Sequence, residues 1–296
     1  MSRPTPIGSK FRALGVPDRS GVAPVCPTVV ELIPWYHGLP NFLNASAGSF
    51  TTTQGENLVK DMVFDPTGEY CYMADYDSVA ADGGARRYDL STPWDITTAA
   101  YGTGQKVDGS STLCAAIILS DDGTKLYLAY GTGDKVEQHS LATPWDLSTA
   151  SAVEATLDIS SEDGAPESMR WAPDGLTLWV FGDTNDDIYT YTMDTPWDIS
   201  TATYVTNYSI GGREGIHFDP NGYEMFAIGS PFVYTYLMDN RFDVASISET
   251  SVTPFNHSGI GGSAGNAMWI GDTGRRFFKL IGGNIIHQAV LLGDFA

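Results

Sequence analysis

The chain has 296 residues, 42% of them apolar, and a net charge of −20. That composition supports a sizeable core, as one large all-β domain or two average ones. The charge is uneven: residues 1–40 hold Arg3, Lys10, Arg12 and Arg19 against Asp18 and Glu31, a net +2, which leaves −22 on residues 41–296. So acidic a body repels phosphate backbones and anionic headgroups, which argues against nucleic-acid binding and docking on anionic lipid.

The first stretch, "MSRPTPIGSKFRALGVPDRSGVAPVCPTVVELIPWYHG", repeats nothing downstream. It has no h-region or small-residue cleavage site, and no apolar run in the chain is long enough to cross a bilayer, so neither export by a signal peptide nor membrane insertion is expected. Three cysteines, Cys26, Cys71 and Cys114, do not form a disulfide framework and are read as thiols. Cys71 and Cys114 fall in or beside predicted strands, whereas Cys26 stands in a loop-like stretch where it can cross-link to a neighbour. Residues 1–40 have three readings: a disordered tail, a segment packed across the chain's own surface, or an extended arm docked on another protein. The third is the one adopted, with Arg3, Lys10 and Arg12 supplying charge and Trp35 and Tyr36 filling grooves. An acidic neighbour, another copy included, suits that charge.

From residue 41 onward the chain repeats itself. A glycine-centred turn recurs at Gly68, Gly123, Gly175, Gly222 and Gly274, at intervals of 55, 52, 47 and 52 residues. Turns of the D-G, N-G and P-x-G kind supply the positive φ that tight hairpins need. Six and four residues before each glycine stand apolar pairs: Met62 and Phe64, Ile117 and Leu119, Met169 and Trp171, Ile216 and Phe218, Met268 and Ile270. Spacing of two means one buried face of a strand. Four residues after each glycine comes an aromatic in every copy: Tyr72, Tyr127, Trp179, Phe226 and Phe278. A third run follows, then a connection, then a more polar fourth run.

Four short strands per unit, five times over, predict a five-bladed β-propeller over residues 41–296. The last unit stops after its third strand, at "AVLLGDFA". The stretch "NFLNASAGSFTTTQG", before unit one, therefore predicts a closing strand around residues 41–52, which removes the edges an open array would expose. In units one to three the connection from third to fourth strand reads "STPWDITTA", "ATPWDLSTA" and "DTPWDISTA"; in unit four it decays to "DNRFDVAS". Pro fixes the turn, Trp94, Trp145 and Trp197 act as apolar wedges with Phe242 as their equivalent, and the Asp accepts from amides of the Ser/Thr-rich turn that follows. On this reading the phrase is scaffold. The competing reading makes the three tryptophans a ring of ligand-stacking platforms, suited to a multivalent glycan binder.

The phrase "LSDDGTKLYLAYGTGDKVEQHSL" resembles the S-P-D-G-x-x-L-Y-V pattern of YVTN and related WD-like β-propellers, a resemblance that covers about 250 residues and implies architecture alone. The literal "TYVTNY" at residues 203–208 falls on the fourth strand and is not that family's motif. The TPWD-[IL]-[ST]-T-A phrase is more distinctive and is similar to repeats in structural and tail-associated proteins of tailed bacteriophages. That resemblance implies a protein of the virion, assembled in the host cytoplasm, whose N-terminal arm docks on other virion structural proteins of head, collar or tail.

Chemistry-bearing patterns are sparse. There is no P-loop, no G-x-S-x-G elbow, and no H-E-x-x-H or C-x-x-C among His37, His139, His217, His257 and His287 and the cysteines. No cofactor is expected. Carboxylates around the channel of a propeller can support glycoside hydrolysis, and Asp61, Glu167 and Glu214 form the best acid set. Asp183, Asn185 and Asp187 alternate like the start of a calcium loop without its glycine or terminal Glu, and Asp75, Asp77 and Asp82 crowd the longest hairpin loop. The function expected is a non-enzymatic virion component, self-associating where virion symmetry imposes it. A host-receptor or glycan-binding propeller and a glycosidase-like enzyme are the alternatives.

Overall fold

A computed structural model describes residues 47–52, 58–76, 83–109, 113–250, 254–271 and 274–290. Five antiparallel sheets form the five blades of a β-propeller. Blade 1 runs through β2 (Leu58–Phe64), β3 (Tyr70–Tyr76), β4 (Gly84–Leu90) and β5 (Ala99–Asp108). Blade 2 follows with β6 (Cys114–Leu119), β7 (Lys125–Tyr130), β8 (Lys135–Ser140) and β9 (Ala155–Asp158), and blade 3 with β10 (Pro166–Trp171), β11 (Thr177–Gly182), β12 (Asp187–Met193) and β13 (Ala202–Ser209). Blade 4 has β14 (Gly215–Phe218), β15 (Glu224–Gly229), β16 (Phe232–Met238) and β17 (Ile247–Thr250), with the short β18 (Phe255–Asn256) also pairing on β16. Blade 5 is made of β19 (Ala267–Gly271), β20 (Arg276–Ile281) and β21 (Ile285–Val290). Its fourth strand is β1 (Gly48–Thr51), which pairs with β21 in the register Gly48↔Gln288 to Thr51↔Ile285. The ring therefore closes on a strand from before unit one, inside the expected 41–52 window.

The first strands of successive blades are neighbours around the axis, β2 beside β6, β6 beside β10, β10 beside β14, β14 beside β19, and β19 back to β2. Met62, Ile117, Met169, Ile216 and Met268 are buried without residual exposure, as are the five repeated aromatics one strand outward. The period-two pattern thus fills the gaps between blades. Apolar burial there supplies the main driving force for stacking the units, at about 25 cal/mol per Å2.

The repeated phrase builds a specific joint. Asp95 N donates to Thr92 O at 3.1 Å, closing a turn with Pro93 second and Trp94 third. Trp94, Trp145, Trp197 and Phe242 have φ of 61°, 66°, 62° and 55°, in the left-handed region that favours glycine. What offsets that strain is the preceding glycine turn. Each of these four residues donates its N–H to the turn glycine, Trp94 to Gly68 (2.9 Å), Trp145 to Gly123 (3.0 Å), Trp197 to Gly175 (2.9 Å) and Phe242 to Gly222 (2.7 Å). The ring then lies on the glycine so closely that a Cβ there would overlap it. Gly274 shares the positive φ, at 89°, but no such phrase follows in unit five.

The tryptophans are half-buried, and the fully sequestered member of the phrase is the residue two places on: Ile96, Leu147, Ile199 and, in unit four, Val244. Each phrase Asp caps the single 3-10 turn that follows, Asp95 accepting from Thr97 N at 3.1 Å and Asp146 and Asp198 from Ser148 N and Ser200 N at 3.0 Å.

Each joint is also a seam between blades. Tyr72 of blade 1 donates its hydroxyl to Trp145 O at 2.7 Å, and Tyr127 of blade 2 to Trp197 O at 2.6 Å. Trp179 of blade 3 meets Phe242 at 6.0 Å between ring centroids, and Phe278 of blade 5 meets Trp94 at 6.5 Å. Glutamines latch the same seams. Gln288 accepts from Ile96 N (2.8 Å) and donates to Asp95 (2.9 Å), Gln105 accepts from Leu147 N (2.9 Å) and donates to Asp146 (2.7 Å), and Gln138 accepts from Ile199 N (3.0 Å).

Candidate functional site

Charged groups from different blades meet near the starts of the inner strands. At the start of the inner strands, Lys60 Nζ lies 3.4 Å from Glu167 Oε1. Burial raises the Glu167 carboxyl, Lys60 opposes that rise, and Asp183 and Glu214 add to it. Glu214 is raised by burial too, with Asp183 adding to the rise and Lys60 opposing it. Lys60, Glu167, Glu214 and Asp183 therefore share one electrostatic neighbourhood.

Asp61 has a different set of partners. It is fully buried, 3.4 Å from Arg170 Nη1, and accepts from Met62 N (2.9 Å) and Ile117 N (3.4 Å). Burial raises its carboxyl, against the pull of Arg170. Arg170 is anchored further by Met169 O at 2.6 Å and Met268 O at 3.2 Å, and its guanidinium stands 5.3 Å from the Trp269 ring centroid. The arrangement ties blades 1, 3 and 5 together across the axis. Asp61 was grouped by sequence with Glu167 and Glu214 because all three fall at inner-strand starts. A register shift between Val59 and Asp61 in the β2–β3 pairing accompanies its separation from them.

Towards the other end, His217 packs edge-on against Trp269 at 4.9 Å, and burial followed by the nearby Arg170 charge lowers its imidazole to about 3. Beyond it, a cavity of about 290 Å3 opens where β2, β6, β14 and β19 end. Phe64, Trp94, Trp145 and Trp269 give it aromatic walls, and Asp65, Asp121 and Asp219 stand in the lining. Sequence reasoning placed these acids in turns and missed the cavity, because the four strand ends come from units as far apart in the chain as residues 64 and 270.

The remaining expected positions disperse. Asp75 forms an ion pair with Arg86 at 3.0 Å, while Asp77 and Asp82 lie outside the described residues. Asn185 turns to Tyr189 Oη at 3.1 Å, and Asp187 accepts from Asn207. The alternating trio thus points to different neighbours, and no group of three or more His, Cys, Asp or Glu close enough to hold a metal ion occurs among the described residues. Arg3, Lys10, Arg12, Cys26, Trp35 and Tyr36 also lie outside the described residues.

Five antiparallel sheets arranged in a closed ring define a β-propeller, and similarity to known proteins extends to that fold. No protein-family model matches the chain, and no curated protein matches it. A protein of unknown function from Desulfotomaculum acetoxidans aligns with a TM-score of 0.50 at 13% identity, over 77% of this chain and 66% of its own. The chain thus spans just under two thirds of that structure's length. A candidate 6-phosphogluconolactonase from Bacteroides uniformis aligns at 0.49 and 12% identity, over 83% and 86% of the two chains. The periplasmic gluconolactonase of Pseudomonas aeruginosa aligns at 0.48 and 13%, over 79% and 70%.

Proposed function

We propose that the chain is a non-enzymatic structural propeller, a component of a tailed-phage particle that exposes its acidic ring and is anchored through residues 1–40. The observation that supports the non-enzymatic reading is the pairing of axial charges. Asp61 is held by Arg170 and two backbone amides, and Glu167 by Lys60, which leaves Glu214 as the one acid of the expected set without an ion pair among the described residues, whereas glycosidic cleavage needs two carboxyl groups facing one bond. The virion reading rests on the resemblance of the repeated phrase and on a basic N-terminal stretch preceding a strongly acidic body.

Co-sedimentation of the full chain, and of a version lacking residues 1–40, with phage particles that lack the protein tests the reading. Binding by the full chain alone is the expected result. Binding by neither form sinks it. A glycosidase and lactonase screen of the wild type and the Glu167→Gln/Glu214→Gln variant completes the test: turnover that the double substitution abolishes while folding is retained would replace the structural reading with an enzymatic one.

A further inference from the structure

The cavity at the glycine-turn end of the axis has an unbalanced wall. Asp65, Asp121 and Asp219 contribute three carboxylates to the lining, and no Lys or Arg belongs to it among the described residues. His217, the only lining residue among the described ones able to gain a positive charge, stays neutral at ordinary pH because burial holds its imidazole down to about 3. Two cations touch wall residues from outside the lining, and each has an acidic partner: Arg170 stands at Trp269 and is matched by Asp61, and Arg87 donates to Trp145 O at 2.8 Å and is matched by Asp89. A concave, apolar wall with one sign of charge concentrates ions of the opposite sign.

The three acids are not equivalent. Asp65 is committed to Thr67 N (3.0 Å) and Tyr70 N (2.7 Å), and Asp219 to Asn221 N (3.0 Å) and Glu224 N (2.8 Å), as the staples of their turns. Asp121 has no hydrogen bond or ion pair among the described residues, although its turn neighbour Asp122 is tied to Ser120 and Thr124. The same lining is aromatic, with Phe64, Trp145 and Trp269. An aromatic face attracts a cation through the ring quadrupole, more strongly as water is removed. Arg170 over Trp269 is an internal instance of the same contact.

We propose that this cavity binds a small organic cation, a quaternary or protonated amine on a hydrocarbon body, with the body against Phe64, Trp145 and Trp269 and the charge facing Asp121. The site is independent of the anchoring role of residues 1–40 and of the acids at the opposite end of the channel.

The test is titration of the full-length protein with benzyltrimethylammonium and with its uncharged carbon isostere, neopentylbenzene, read on the indole N–H resonances of Trp145 and Trp269. The expected result is a saturable shift with the cation alone, weakened by added salt and roughly five-fold weaker in Asp121→Asn. Asp122→Asn, which changes the same net charge outside the lining, is expected to leave the affinity within two-fold or so of wild type. Equal binding of the isostere, displacement by a methyl glycoside, equal loss in the two aspartate variants, or no saturable shift would each overturn the proposal.

Discussion

At the residue scale, the repeated glycine serves two demands at once. Gly175 has a φ of 70° and lies under the Trp197 ring, whereas Gly104 has a similar φ of 77° with nothing within 4 Å of its missing Cβ. Gly104→Ala is therefore expected to cost about 1 kcal/mol, the backbone term alone, and Gly175→Ala roughly 2–4 kcal/mol, because the indole must also shift. Urea unfolding of the two variants separates the contributions. Equal losses would mean that the ring contact contributes nothing.

His217 gives a second prediction at this scale. Its imidazole is neutral in the fold down to about pH 3, but titrates near 6.5 once unfolded. Between those values the unfolded state binds more protons, so this residue's contribution to stability is complete above about 6.5 and is lost on acidification by up to ~1.4 kcal/mol per unit. His217→Phe should flatten that part of the curve of unfolding free energy against pH. An unchanged slope would assign the acid sensitivity to other groups.

At the element scale, the unit of construction is the seam. Gln138 and Gln288 occupy the same place in their blades, each opposite the repeated aromatic of the neighbouring strand, Tyr127 or Phe278. In blade 1 that place holds Arg87, which donates to Trp145 O at 2.8 Å, and Gln105 from the outer strand supplies the latch instead. In blade 3 it holds Thr190, whose buried hydroxyl has no partner among the described residues. The seam between blades 3 and 4 accordingly relies on apolar contact between Trp179, Phe218 and Phe242. Gln138→Leu, which leaves the Ile199 N–H unpaired, should cost about 1–3 kcal/mol. Thermal unfolding checks it, and a neutral result would show that water replaces the latch.

At the scale of the whole molecule, stability depends on closure. Strand β1 supplies the outer edge of blade 5, with Phe50 against Tyr88 of blade 1 at 5.2 Å, so it also bridges two blades. Removing residues 1–40 should leave the unfolding midpoint within a degree or so, whereas removing residues 1–52 exposes the β21 edge and the seam together. Aggregation or a large fall in melting temperature in the second truncation alone is the expected outcome, read by light scattering and calorimetry. Equal behaviour of the two truncations would show that the N-terminal strand is dispensable.

Spacing alone determined the number of blades, four strands in each, the buried positions Met62, Ile117, Met169, Ile216 and Met268, and closure by a strand from before unit one. Those features depend on local periodicity and on a repeat that must stack to bury its apolar face, and both are written linearly along the chain. The left-handed turn at Trp94, its seat on Gly68, the glutamine latches, the Arg170–Asp61 pair and the axial cavity were decided by tertiary structure. Each joins residues from different blades or a ring to a backbone about twenty residues or more away, and a one-dimensional pattern contains no record of which atoms come within 3 Å. The same reason separated Asp61 from Glu167 and Glu214: all three mark inner-strand starts, but bulge, burial and a buried arginine decide whether a carboxylate faces the channel or a partner.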